Sequence, residues 1–154
     1  MYKQFIRGTL EYCSVAFSSS LTVQQSASLE RCQAVALRII LNESYVSYSA
    51  ALEMCGLDLL ETRRLARCLQ YSLKCIVHPQ NARFFPLNPN LSGEQQVRYR
   101  ERFKVNFSRT KQYQESTIPF CQRLLNSHDA QQQKEREALG EGEEEEEGEE
   151  GRRG

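Results

Sequence analysis

Apolar residues recur at helical spacing through the first eighty positions, and then the period changes. Tyr2, Phe5, Ile6, Leu10 and Cys13 stand three or four apart and predict a helix over 2–17 with those side chains on one face. "SSSLT" at 18–22 interrupts it, and Thr22 is placed to cap a second helix over 23–41, "VQQSASLERCQAVALRIIL". The apolar stripe of that helix is Leu29, Cys32, Val35 or Ala36, Ile39 and Ile40, which leaves Gln33 and Arg38 off the stripe. A short helix from Tyr48 to Cys55 follows, with Ser47 as its cap and Gly56 as its left-handed terminator. "DLLE", Asp58 to Glu61, has the spacing of a capping box and opens a helix running to Val77. Its expected buried face is Leu65, Leu69, Leu73 and Ile76.

Beyond Val77 the helical period stops. "HPQNARFFPLNPNLSG" holds three prolines and a glycine and reads as a loop, with Phe84 and Phe85 tucked onto the body. In "RERFKVNFSRT", Phe103, Val105 and Phe107 alternate with Arg102, Lys104 and Asn106, the pattern of a half-buried strand whose apolar side packs. One strand needs a partner, and no second strand is evident. "STIPFCQRLLN" predicts a short final helix capped by Ser116, with Ile118, Leu124 and Leu125 inward. The expected fold is therefore mainly α: a bundle of about four to five helices, one short β element near 102–108, and a tail. The segments are a helical region over 1–80, a Pro-rich loop over 81–99, the strand and terminal helix over 100–128, and the tail over 129–154.

Charge divides the chain at the same place. Residues 1–128 carry 16 Lys and Arg against 9 Asp and Glu, and residues 129–154 carry 4 against 11. The formal net charge of zero is the cancellation of a basic body by an acidic end. With ten glutamates, five glycines and one leucine, that end cannot bury enough apolar surface to order itself, so it is expected to be a disordered acidic tail. "QQQKEREAL" is the part expected to extend the helix transiently. A basic body suits a polyanionic partner or simply a solvated surface. The first residues lack the continuous apolar core of a signal peptide, and no apolar run approaches the roughly 20 residues of a membrane span. A cytoplasmic or nuclear chain with reduced thiols and no membrane partner is the expectation.

Catalytic chemistry is missing from the pattern. Two-metal catalysis needs clustered carboxylates, but the chain has only two aspartates, Asp58 and Asp129, one read as a helix cap and one in the tail. It has no Gly-rich phosphate loop, nucleophile elbow or HExxH, and no small-molecule substrate or cofactor is implied. Cys55, Cys68, Cys75 and His78 could in principle ligate zinc. They lack the close Cys-x2-4-Cys pairing of structural sites, so free cysteines and a helix-end histidine are the expectation. Cations are the remaining candidates for binding. Arg63, Arg64 and Arg67 fall on the expected exposed side of their helix, where they could contact phosphates, pair with Glu61, or solvate the surface. Arg98, Arg100, Arg102, Lys104, Arg109 and Lys111 follow in and around the strand.

In chain order the landmarks are "YKQFIRGTLEYCSVAF", "LERCQAVALRII", "ALEMCGLDLLETRRLARCLQYSLKCI", "FPLNP" and "RYRERFKVNFSRTKQYQESTIPFCQRLLN". This string resembles the segment that follows the catalytic palm in reverse transcriptases of non-long-terminal-repeat retrotransposons, the jockey-like and chicken-repeat-like groups. The resemblance covers about residues 2–128. Gly8 stands where the family usually has Pro, and Phe17 where it usually has Trp. The family's palm aspartates lie N-terminal to this segment, so no catalytic residue carries over and the chain is expected not to be an enzyme on its own. The parent enzyme would use magnesium. The resemblance implies a thumb-like helical piece that helps hold a template–primer duplex, with backbone contacts from the nine cations named above. The acidic tail lies outside it. The alternatives are an adopted helical interaction module whose tail binds basic proteins, and a decayed transposon remnant without function.

Overall fold

The computed structural model describes residues 2–89 and 101–150. The chain is mainly α. Four helices of eight or more residues build it: α3 (Val23–Leu41), α4 (Tyr48–Cys55), α5 (Leu60–Val77) and α8 (Thr117–Glu150). Shorter turns join them: a wide π-helical turn (Tyr2–Ile6) continuing into α1 (Arg7–Leu10), then α2 (Ser14–Phe17), α6 (Pro79–Ala82) and α7 (Lys111–Gln114). No helix among the described residues is long and apolar enough to cross a membrane.

Local capping sets the helix ends where the sequence places them. Thr22 Oγ1 accepts the Gln25 amide while Gln25 Oε1 accepts the Thr22 amide, a reciprocal box at the start of α3. Ser47 accepts the Ala50 amide at the start of α4, and Gly56 closes it at φ +57°, a conformation that suits a residue without Cβ. The Leu57 amide then returns to the Leu52 carbonyl at 2.9 Å.

The α5 start differs from the expected capping box. Leu59, not Asp58, precedes the helix, with no side-chain cap of its own. Glu30 of α3 does this work instead. Its Oε1 accepts the Glu61 amide at 2.8 Å, and its Oε2 accepts the Tyr48 hydroxyl at 2.6 Å. The predicted helix over 2–17 is also split: Cys13 adopts the left-handed region at φ 51°, an uncommon conformation for a residue with a Cβ. The break accompanies the burial of Glu11, whose carbonyl accepts the Ser14 amide and an Arg67 N–H.

Two apolar clusters form the core. Leu37, Ala51 and Leu52 join α3 to α4, with Tyr45, Tyr48 and Leu57 packed around them. Cys75, Phe85, Phe103, Cys121 and Leu125 join α5, the loop after it, the extended segment and α8. Phe85 is buried as expected, while Phe84 stays exposed. On α8, Leu125 is fully buried, with Ile118 and Leu124 half-buried.

Among the described residues the strand is reduced to one antiparallel bridge, Leu87 opposite Phe103. The Asn88 amide donates to the Arg102 carbonyl and the Lys104 amide to the Pro86 carbonyl, each at 2.9 Å. Phe103's own amide and carbonyl face the other way, onto the Asn126 carboxamide of α8: Oδ1 accepts from the Phe103 amide and Nδ2 donates to the Phe103 carbonyl, both at 2.9 Å. Gln122, one turn earlier, accepts the Asn106 amide and donates to the Phe84 carbonyl. Side-chain amides thus serve as the missing strand partner. The packing side ends sooner than alternation predicts. Phe103 is buried and Val105 half-buried, but Phe107 is 87% exposed.

Every residue of the last helix from Gln131 to Arg136 is exposed, so no burial holds this stretch against the body.

Candidate nucleic-acid interface

The expected phosphate contacts on α5 are occupied in the fold. The exposed side assigned to Arg63, Arg64 and Arg67 is in part the side that α5 turns toward its neighbours: Arg64 is buried and Arg63 half-buried, while Arg67 stays exposed. The buried residues of α5 are Leu60, Arg64, Cys68, Ser72 and Cys75, one turn apart, and Leu65 and Leu73 are outside. Arg63 Nε donates to Glu11 Oε1 at 2.5 Å, and Arg67 Nη2 stands 2.9 Å from Glu11 Oε2. Glu11 is 2% exposed. Burial by itself would raise the Glu11 carboxyl. The hydrogen bond from Arg63 and the charges of Arg63, Arg67 and Arg7 outweigh it and hold the carboxyl below its ordinary range. The same hydrogen bond raises Arg63. Arg64, 3% exposed, donates from Nη2 to Ser26 Oγ at 2.8 Å. Glu61, the partner considered from spacing, pairs with none of them.

A polar chain behind these arginines fixes how the helices sit. Gln33 is fully buried. Its Oε1 accepts the Tyr2 hydroxyl, and its Nε2 donates to the Tyr48 hydroxyl and the Asp58 carbonyl. Burial pushes the Tyr2 hydroxyl up to about 12. Burial, then the hydrogen bond to Glu30, raises Tyr48 as well. These groups stay neutral and act as hydrogen-bonding struts.

With Gln33 inward, α3 faces the core through Gln33, Ala36 and Leu37; of the predicted stripe, Ala36 is buried and Leu29 half-buried, while Cys32, Val35, Ile39 and Ile40 are turned out. Cys32, Val35 and Ile39 line an open, largely apolar groove of about 480 Å³ together with Ile6, Ala36, Ser28 and Arg31.

The cations after the loop are arranged differently. Arg98 and Arg100 lie outside the described residues. Arg102 is exposed, stands 3.7 Å from Asp129 and lies 5.3 Å over the Phe103 ring. Lys111 is exposed and faces Glu115 at 3.6 Å, one turn along. Lys104 and Arg109 are exposed and join no ion pair among the described residues. Arg83, which spacing did not single out, covers the Phe84 ring at 4.9 Å beside the same bridge. Such exposed cations reach a polyanion at little desolvation cost.

The cysteines are all free. Burial raises the Cys68 and Cys121 thiols, which keeps them protonated and unreactive. Cys55 packs in the α3–α4 cluster and Cys75 in the other, so the zinc set considered from sequence is not assembled. No three of His, Cys, Asp and Glu among the described residues form a metal-binding group.

Comparison of the chain with protein-family models, with curated proteins and with solved structures finds no match.

Proposed function

We propose that this chain is the post-palm, thumb-like segment of a non-long-terminal-repeat retrotransposon reverse transcriptase, without catalysis of its own and with weak binding to nucleic-acid backbone. The observation that carries the reading is the ordered string of five landmarks over residues 2–128. The mainly helical architecture is compatible with it. On this reading the polymerase chemistry and its magnesium belong to palm residues that the sequence does not contain. Of the nine cations, Arg63 and Arg64 are drawn into the fold, Arg67 is exposed but paired with Glu11, and Arg98 and Arg100 lie outside the described residues, which leaves Arg102, Lys104, Arg109 and Lys111 as the described exposed candidates for backbone contact. A filter-binding titration of a template–primer duplex should give a log affinity that falls linearly with log salt, with a slope of about −3 from the four described contacts, partly offset by Asp129 and Glu115, and steeper where Arg98 and Arg100 add to them. Replacing Lys104 and Arg109 together with alanine should flatten the slope by about two. Affinity no better than the millimolar range at low salt would sink the proposal.

The outward apolar face of α3 favours a second reading, a helical module adopted for protein interaction, with the acidic tail as its other contact surface. Here the tail shields the basic body from nucleic acid. Removal of residues 129–154 should then strengthen duplex binding at low salt, and unchanged affinity rules the shielding out.

A further inference from the structure

Arg64 raises a separate question. Its guanidinium is buried between α5 and the start of α3, yet it joins no ion pair among the described residues. One of its ends is satisfied: Nη2 donates to Ser26 Oγ. The other end, Nη1, is buried without any hydrogen-bond partner. A buried cation with an idle donor is costly unless an anion meets it.

The surroundings fit an anion. Arg64 lines a cavity of about 210 Å³ with Ser18, Thr22 and Ser26, and with Phe120 and Leu65 as apolar wall. Thr22 is the cap of the 19-residue helix α3, so the positive end of that helix dipole opens on the same space. The apolar wall lowers the local dielectric and strengthens any charge-assisted hydrogen bond made there. Glu61 also lines the cavity, but its exposed position leaves its charge screened by solvent.

We infer that this cavity is an oxyanion site that takes a phosphate group, with Arg64 as the charged donor and the Thr22 and Ser26 hydroxyls, which only accept hydrogen bonds within the fold, as further donors. The group could be inorganic phosphate or the terminal phosphate of an oligonucleotide, which present the same oxygens. The inference does not depend on the reverse-transcriptase reading, and it uses none of the cations assigned to duplex backbone.

The test is a calorimetric titration of the full chain with inorganic phosphate, at ionic strength matched with sodium chloride. Saturable binding is expected, weakened about tenfold or more in Arg64→Met, the loss of one charge-assisted hydrogen bond. A second variant guards against misfolding of the first. Thr22→Asp keeps a good helix cap and places a carboxylate in the cavity, so it should neutralise Arg64 and also weaken phosphate at least about tenfold. Absence of saturable binding to the unaltered chain, or unchanged binding in Thr22→Asp, overturns the site. A trinucleotide bearing a 5′-phosphate, compared with its 5′-hydroxyl twin, assigns the source. Tighter binding of the phosphorylated form points to a chain end, and equal weak binding of both beside retained phosphate binding points to the free ion. Either result supports the cavity. Loss of duplex binding in the salt titration leaves it standing.

Discussion

Asn126→Leu should lower the unfolding free energy by about 3 kcal/mol, one of the two largest effects expected from a single substitution here. Leucine has the same branched arrangement of four side-chain heavy atoms, although its methyl groups are bulkier than the carboxamide. What it removes is the carboxamide that accepts the Phe103 amide and donates to the Phe103 carbonyl. Both backbone groups are buried, and the bridge to Leu87 uses only the flanking Arg102 and Lys104 groups. Phe103 would therefore keep two buried polar atoms without partners, each costing about 1–3 kcal/mol. Urea unfolding followed by circular dichroism measures the change. A loss under about 1 kcal/mol would show that the extended segment does not depend on α8. The proposed dependence also predicts that Phe103, Phe85 and the Leu87 bridge loosen together, because they share one cluster.

The second large effect concerns Glu11. Glu11→Gln should cost about 2 kcal/mol at neutral pH, through the loss of a hydrogen bond between charged groups at Arg63. The Arg67 contact adds less, since that side chain is 44% exposed and its charge is screened. The sign of the pH dependence follows from the depressed Glu11 carboxyl. A carboxyl held lower in the folded state binds fewer protons there than in the unfolded chain. Its stabilisation is complete above the ordinary value of 4.5 and is lost as pH falls through the lower folded value. The unaltered chain should thus lose stability in acid more steeply than Glu11→Gln, and the gap between them should close at low pH. Parallel denaturation midpoints at neutral and acid pH check this. A gap that stays constant would mean that the carboxylate charge contributes nothing.

Both effects rest on residues that the hydrophobic pattern does not mark. Glu11 lies in a segment read as one continuous helix, and Asn126 lies in a segment read for its leucines. Each is polar, and each owes its importance to a partner more than twenty residues away. A signal did exist for α8: Gln122 and Asn126 are four residues apart, so both amides project from one helix face. The pattern alone does not say that the face is buried.

The faces of α3 and α5 show the same limit. Both helices carry apolar residues over more than half their circumference, so periodicity leaves their rotation open. For α3, the contacts of Gln33 with Tyr2, Tyr48 and the Asp58 carbonyl turn it inward and put Cys32, Val35 and Ile39 outside. For α5, Arg64 Nη2 finds Ser26 of α3 and Arg63 finds Glu11, and Leu65 and Leu73 are left exposed. A buried polar side chain that meets its partners constrains rotation more sharply than one more leucine, because an unmet hydrogen bond costs more than a displaced methylene.

The sequence by itself determined the helical class, the ends of α3, the cap and terminator of α4, the end of α5 at Val77 and the separation of a basic body from an acidic end; much of the Pro-rich loop, residues 90–99, lies outside the described residues. These features follow from side chains within about four residues of each other, through caps, left-handed glycine and composition. Only the tertiary structure decided which face of each helix is inside, which cations are spent on Glu11 and Ser26, and what completes the lone strand. Those outcomes depend on polar groups distant in sequence finding one another in a buried place, a constraint that no local period contains.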